Sequence, residues 1–334
     1  MDILLLGGTG AIGVSVVHCL NTGHNEIYVT SRKKRIDKEH VHYFQGNARN
    51  KEWLSKIAKY KKFDVIIDFM VYESNEFKNN IELLLQMTKH YVFLSSSRVY
   101  SNSRNKPITE EFPRLLDNCQ DKEYLLTDEY ALAKAREEDI LINNKIKNWT
   151  IVRPYITYNN ERLQLGTMEK ESWLYRSMHG RTIVFTKDVA ECLTTLTYGN
   201  DVAKGIASII GKTEAYGEIF HIVGTESMKW KDVAILYQNE IKRLTGNFPH
   251  ILYLDNAEEF CRAFNNKYQV YYDRLFQRTF DSSKIKKISG KIDYTPMSKG
   301  LVKCLDEFIL NKHQFRDINW VAEAWMDRQT GERT

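Results

Sequence analysis

One turn near the N-terminus constrains this chain more than any other feature. Gly7-Gly8-Thr9-Gly10-Ala11-Ile12-Gly13 follows an apolar run, Ile3 to Leu6, and opens a helical pattern. Glycines at 7, 10 and 13 have G-x-x-G-x-x-G spacing. Glycine permits the tight turn and lets the backbone approach a pyrophosphate closely. The first turn of the following helix offers free N–H groups and a partial positive charge. Such a turn between a first strand and a first helix predicts a βαβ unit that holds a dinucleotide. The pattern continues: Ile27 to Thr30, His42 to Phe44, Val65 to Asp68, Val92 to Ser95 and Thr150 to Arg153 read as strands. Between two of them, Glu76 to Thr88 places Phe77, Ile81, Leu84 and Thr88 at helical spacing. This alternation predicts an α/β fold with a Rossmann-type doubly wound parallel sheet and right-handed crossovers.

After Pro154 the pattern loosens. Tyr158 to Gly180 is polar with several charges and aromatics, a helix is expected after Gly199, and Glu218 to Val223 reads as a strand returning to the sheet. The expected organisation is a dinucleotide-binding region over 1–155, with a return at about 182–224, and a smaller, mostly helical substrate-binding region over 156–181 and 225–334. A length of 334 residues suits two such regions, and 43% apolar residues suit a folded core. The net charge of +5 fits an anionic small ligand as well as nucleic acid and decides little. Five cysteines, none close to another, give neither a disulfide framework nor a zinc spacing, which points to a reduced, cytoplasmic setting. His40 and His42 make a poor metal case without a third ligand, so no metal is expected. No segment reaches the roughly 20 apolar residues of a bilayer span, so no membrane insertion is expected. His221, in an apolar strand, reads as a packed histidine, and Trp320 and Trp325 read as core or subunit contacts.

The second strand bears on which dinucleotide is used. An NAD site places an acid there for the ribose 2′-hydroxyl, whereas this stretch is Thr30-Ser31-Arg32-Lys33-Lys34-Arg35. Arg32 suits a 2′-phosphate, so NADP is favoured over NAD. Lys33, Lys34 and Arg35 read as a solvated loop and make only a weak case for nucleic acid.

The most informative stretch is Tyr130-Ala131-Leu132-Ala133-Lys134, in a helix expected to begin near Thr127. Residues at i and i+4 share a helix face, which brings an ammonium near a phenol. A neighbouring positive charge favours the phenolate form. Ser95-Ser96-Ser97-Arg98-Val99-Tyr100 stands at the end of an earlier strand and Arg153-Pro154 at the end of a later one. With these four elements in order, the sequence resembles the extended short-chain dehydrogenase/reductases, the NAD-dependent epimerase/dehydratase family, over roughly residues 1–225. The resemblance implies that Tyr130 is the general acid/base and that Lys134 binds the nicotinamide ribose. It implies that Ser96 is the catalytic hydroxyl, four residues before Tyr100, with Ser97 as fallback and a substrate contact. Cofactor contacts are expected from Gly7, Gly10, Ala11, Ile12, Gly13, Arg32, Asn47, Ala48, Phe69, Ser95 and Pro154, besides Tyr130 and Lys134.

Departures from the family pattern qualify this. Gly46-Asn47-Ala48 replaces the usual Gly-Asp, and Asp68-Phe69-Met70 replaces a small Ala-Ala pair on the cofactor's path. The family's 4,6-dehydratases carry Asp-Glu where this chain has Ser97-Arg98, so the acid for water elimination is missing. Asp201 reads as a helix cap. Arg162, Lys170, Arg176 and Arg181 cluster with Trp173 and Tyr175 past Arg-Pro, and Arg162, Arg176 and Arg181 are expected at a substrate diphosphate. The activity that follows is epimerisation of a nucleotide-linked sugar through a transient keto-sugar. One alternative is an NADPH-dependent reductase of a keto nucleotide sugar. Another, of a different class, is a non-catalytic binding module associated with RNA. A homodimer is expected from the resemblance alone.

Overall fold

The computed structural model describes residues 1–104, 106–290 and 292–332; the last two residues of the expected C-terminal region lie outside it. Seven parallel strands form the central sheet: β1 (Asp2–Leu6), β2 (Glu26–Ser31), β3 (Val41–Gln45), β4 (Phe63–Asp68), β5 (Thr88–Leu94), β6 (Trp149–Pro154) and β7 (Glu218–Ile222). Their order is β7-β6-β5-β4-β1-β2-β3, so the chain turns back beside β1. Leu4, Leu5, Ile66, Ile67 and Val92 are all fully buried, which explains why the central strands read as apolar runs without alternation.

Helices cover both faces. On one, α1 (Ala11–Leu20) packs against α5 (Gly199–Ile209), burying Val16, Val202 and Ile206 against Ile3, Leu5 and Ile222. The other face carries α2 (Lys51–Tyr60), α3 (Ser74–Gln86) and α4 (Tyr130–Ile142), which bury Leu54, Phe77, Leu84 and Leu141. Helix α3 starts with a capping box of Glu73 and Glu76. It ends at Gln86, and Thr88 begins β5 opposite Phe63. The helical reading through Thr88 ran too far because no glycine or proline marks the stop. Asp201 does not cap α5 either: it sits buried in the first turn, accepting from Thr295 N at 2.6 Å and pairing with Lys204.

The second half has its own core. Trp173 stacks on Tyr237 with centroids 4.2 Å apart. Around this pair α6 (Trp230–Thr245), α7 (Met297–Leu310) and α8 (Trp320–Thr330) bury Val233, Leu301, Phe308 and Met326. A short parallel pair, Ile183–Thr186 with Ile251–Leu254, adds strand content that the helical reading missed. Trp325 packs edge-on to Phe260 and Phe264, whereas Trp320 is 60% exposed. All five cysteines are free thiols. Among the described residues, no helix is long and apolar enough to cross a membrane.

Candidate active site

The glycine turn forms one wall of a cleft. Gly7 adopts φ +71°, a left-handed conformation that L side chains rarely take, and its N–H donates to Thr30 Oγ1 at 2.9 Å. A Cβ on Gly13 would lie 2.5 Å from the Gly8 carbonyl oxygen, so α1 packs directly on the turn. Gly10 meets nothing within 4 Å on that side, leaving its face and the start of α1 open. The cleft beside it, about 440 Å³, is lined by the turn together with Thr30–Arg32, Gly46–Arg49 and Phe69–Val71.

Of the expected cofactor residues, Gly7, Gly10, Arg32, Asn47, Ala48 and Phe69 line this cleft. Ile12 instead packs half-buried against the sheet core, and Ala11 faces the neighbouring cavity. Arg49 also lines the cleft, and its guanidinium donates to the Val71 carbonyl. The sequence reading missed it, although it follows Asn47-Ala48 directly. Among the described residues, no acid is in the lining. An open helix N-terminus, apolar Ala48 and Phe69, and two arginines fit the adenosine and phosphate part of a dinucleotide. Met70, where the family has a small residue, lays its sulfur against Gly7, 2.8 Å from a Cβ built there.

Helix α4 carries the expected catalytic pair, and of the two, Lys134 reaches Met70 at the cleft wall. The helix begins at Tyr130, three residues after Thr127, because the Glu129 carboxylate caps it by accepting from Ala131 N at 2.9 Å. Lys134, 1% exposed, donates to the Met70 carbonyl at 3.0 Å and to Glu137 Oε2 at 2.9 Å. Its ammonium also lies 4.4 Å from the Phe93 ring centroid. Burial pushes the Glu137 carboxyl up to about 7, against the pull of Lys134. Nearby Asp68 is likewise raised by burial, while Tyr91 and Tyr72 donate to it at 2.7 and 2.8 Å. Tyr130 is half-buried, with the Arg98 guanidinium 5.3 Å from its ring centroid.

The three serines divide by direction. Ser96 caps the 3-10 turn Ser97–Val99 by accepting from Arg98 N at 3.2 Å. Ser95 donates to Glu138 at 2.5 Å, and Glu138 in turn holds the buried Arg153 at 2.8 and 2.7 Å. Ser97 is fully buried and donates to the Arg153 carbonyl at 2.8 Å, so it does not present a hydroxyl to a substrate as expected. Pro154 is buried in β6 opposite Ile222.

Two expected phosphate ligands are structural. Arg176 is fully buried and donates to Glu323 at 3.0 Å, Asp327 at 2.8 Å and Glu332 at 2.7 Å, fastening α8 to the second core. Arg181 pairs with Asp327 in the same cluster. Their acids come from about 150 residues downstream, which local composition does not reveal. Arg162 does face a cavity, one of about 850 Å³ that adjoins the cleft at Thr9 and Gly10 and also holds Lys170 and Arg316. There it pairs with Glu169 at 3.3 Å.

Comparison with known proteins matches this architecture. A model of the NAD dependent epimerase/dehydratase family matches residues 3–222. The chain is similar to chloroplast stem-loop binding protein of 41 kDa b from Arabidopsis thaliana, 23% identical over 70% of this chain and 61% of that one. It is also similar to a UDP-glucose 4-epimerase from Neisseria meningitidis serogroup A, 29% identical over 34% of this chain and 41% of that one. The matched stretches thus span less than two thirds of these curated relatives. Among solved structures, a dTDP-glucose 4,6-dehydratase from Bacillus anthracis in complex with NAD superposes with a TM-score of 0.73 at 16% identity, covering 94% of this chain and 98% of that one. The matched residues include the glycine turn, the serine-rich strand end, the Tyr130–Lys134 pair and Arg153-Pro154, and on this ground the chain belongs to the NAD-dependent epimerase/dehydratase family.

Proposed function

We propose that this protein is a nucleotide-sugar epimerase that uses NADP in preference to NAD. The observation that carries the reading is the tie between the phenol-bearing helix and the cleft. Tyr130 and Lys134 are one turn apart, and the Lys134 ammonium donates to the carbonyl of Met70, a cleft-lining residue. The dinucleotide, when bound, supplies the means of oxidising a ring carbon and reducing it again. Tyr130 Oη takes the proton from the sugar hydroxyl during oxidation and returns it during reduction. The Ser96 hydroxyl bonds the same sugar oxygen, and Lys134 stands one turn further along α4. Arg32 and Arg49 in a cleft wall without acids support a 2′-phosphate. The free thiols suit a reducing, cytoplasmic compartment, and a homodimer through the sheet-flanking helices completes the reading.

The test is to purify the protein, identify bound small molecules by mass spectrometry, and incubate it with NADP and UDP-hexoses. Interconversion of epimers without net change in cofactor absorbance supports the epimerase. Stoichiometric NADPH oxidation on a keto nucleotide sugar replaces it with the reductase. A second reading, a non-catalytic binding module, draws on the relative named for stem-loop binding. It is supported if the chain binds a stem-loop RNA, the Tyr130→Phe variant binds it equally, and no nucleotide sugar is turned over.

A further inference from the structure

Arg98 occupies the junction of three elements: the strand end carrying Ser96, the start of α4, and the turn Val270–Arg274. Its Nη2 donates to Glu129 at 2.6 Å, and its Nε lies 3.7 Å from Asp273. Asp273, fully buried, is already held by Arg274 and by Arg278 Nε at 2.9 Å. Glu129 also accepts from Tyr124 Oη and from the α4 backbone. Three guanidinium groups therefore face two carboxylates whose acceptor sites are largely taken.

The imbalance falls on Arg98. Its Nε is buried without a hydrogen-bond partner, and its Nη1 bonds nothing among the described residues. Buried donors are almost always paired, and with two acids for three guanidinium groups the cluster carries one positive charge in excess. The guanidinium lies 5.3 Å from the centroid of the Tyr130 ring, beside the phenol that acts on the sugar in the proposed reaction. We infer that Arg98 selects for a carboxylate on the sugar, which makes the substrate class a nucleotide-linked uronic acid. This rests on Tyr130 acting on a nucleotide sugar. It accords with a cation standing where the family's dehydratases have an acid.

The test uses the whole 334-residue chain saturated with NADP and isothermal titration with UDP-glucuronic acid and UDP-glucose, which differ only at C6. The uronate is expected to bind at least about tenfold more tightly, the size of one charge-assisted hydrogen bond. Arg98→Gln is expected to remove that preference and Arg98→Lys to restore part of it. Equal affinity of the wild-type chain for both sugars overturns the inference, even if Arg98→Gln fails to fold. So does a preference that survives Arg98→Gln. If neither sugar binds while NADP does, the nucleotide-sugar reading falls and the inference falls with it.

Discussion

Replacing Arg176 by methionine separates a structural role from a ligand-binding one. The guanidinium is fully buried and donates to Glu323, Asp327 and Glu332. Methionine keeps most of the packing volume and removes the charge. Glu323, with a 2% exposed side chain, then loses its ion-pair partner. Asp327 keeps Arg181, and Glu332, 29% exposed, is able to turn to water. One stranded carboxylate is the main cost, so the expected loss is about 3 kcal/mol, the lower end for breaking a buried pair. Burial already holds the Glu323 carboxyl above its ordinary value, and losing the cation raises it further. A carboxyl raised in the folded state destabilises as pH rises through that value and not below its unfolded value. The deficit should therefore be largest near pH 8 and shrink towards pH 5. Urea unfolding at both pH values measures it, and limited proteolysis between α7 and α8 should accelerate in parallel. A loss under about 1 kcal/mol at pH 8 would refute the structural assignment. Unchanged stability with weakened nucleotide-sugar binding would return Arg176 to the substrate.

Three further outcomes are expected. Tyr130→Phe should lower turnover by about 10²- to 10⁴-fold while NADP affinity, read by fluorescence titration, changes little. Arg32→Glu should weaken NADP at least about tenfold and leave NAD nearly unaffected, as measured in the same titration. Glu137 has an ordinary value of 4.5 and a folded value of about 7, so the folded state retains its proton and wild-type stability falls as pH rises across that window. Glu137→Gln should remove this fall, worth roughly 3 kcal/mol, and unfolding free energies at pH 5 and pH 8 test it.

The sheet was legible because buried parallel strands announce themselves as apolar runs, and β1 to β6 lie where those runs stand. The helix carrying Tyr130 and Lys134 was legible from its spacing, whereas the partners that Lys134 takes, Glu137 and the Met70 carbonyl, were not. On sequence Glu137 belongs to a charged helix stretch, and only the packing of α4 beside α3 on the sheet buries it. Arg98 looked like a departure from a motif, and its meaning comes from Asp273, 175 residues away. The same distance effect misled the reading of Arg176 and Arg181. A cationic, aromatic segment resembles a ligand site until its acids are seen to arrive from the C-terminal helix.

The last sheet strand, β7, has a consequence for how this protein is divided. It pairs with β6 from Thr150 to Pro154, yet between the two strands the chain passes through the second core and returns by way of α5. A fragment cut after residue 155 would expose the backbone of β6 as a raw edge and strip α5 from α1. Such an edge recruits other chains. Truncation at the apparent boundary should therefore yield aggregates, because the sheet is complete only once the chain has left it, built part of the second core and come back.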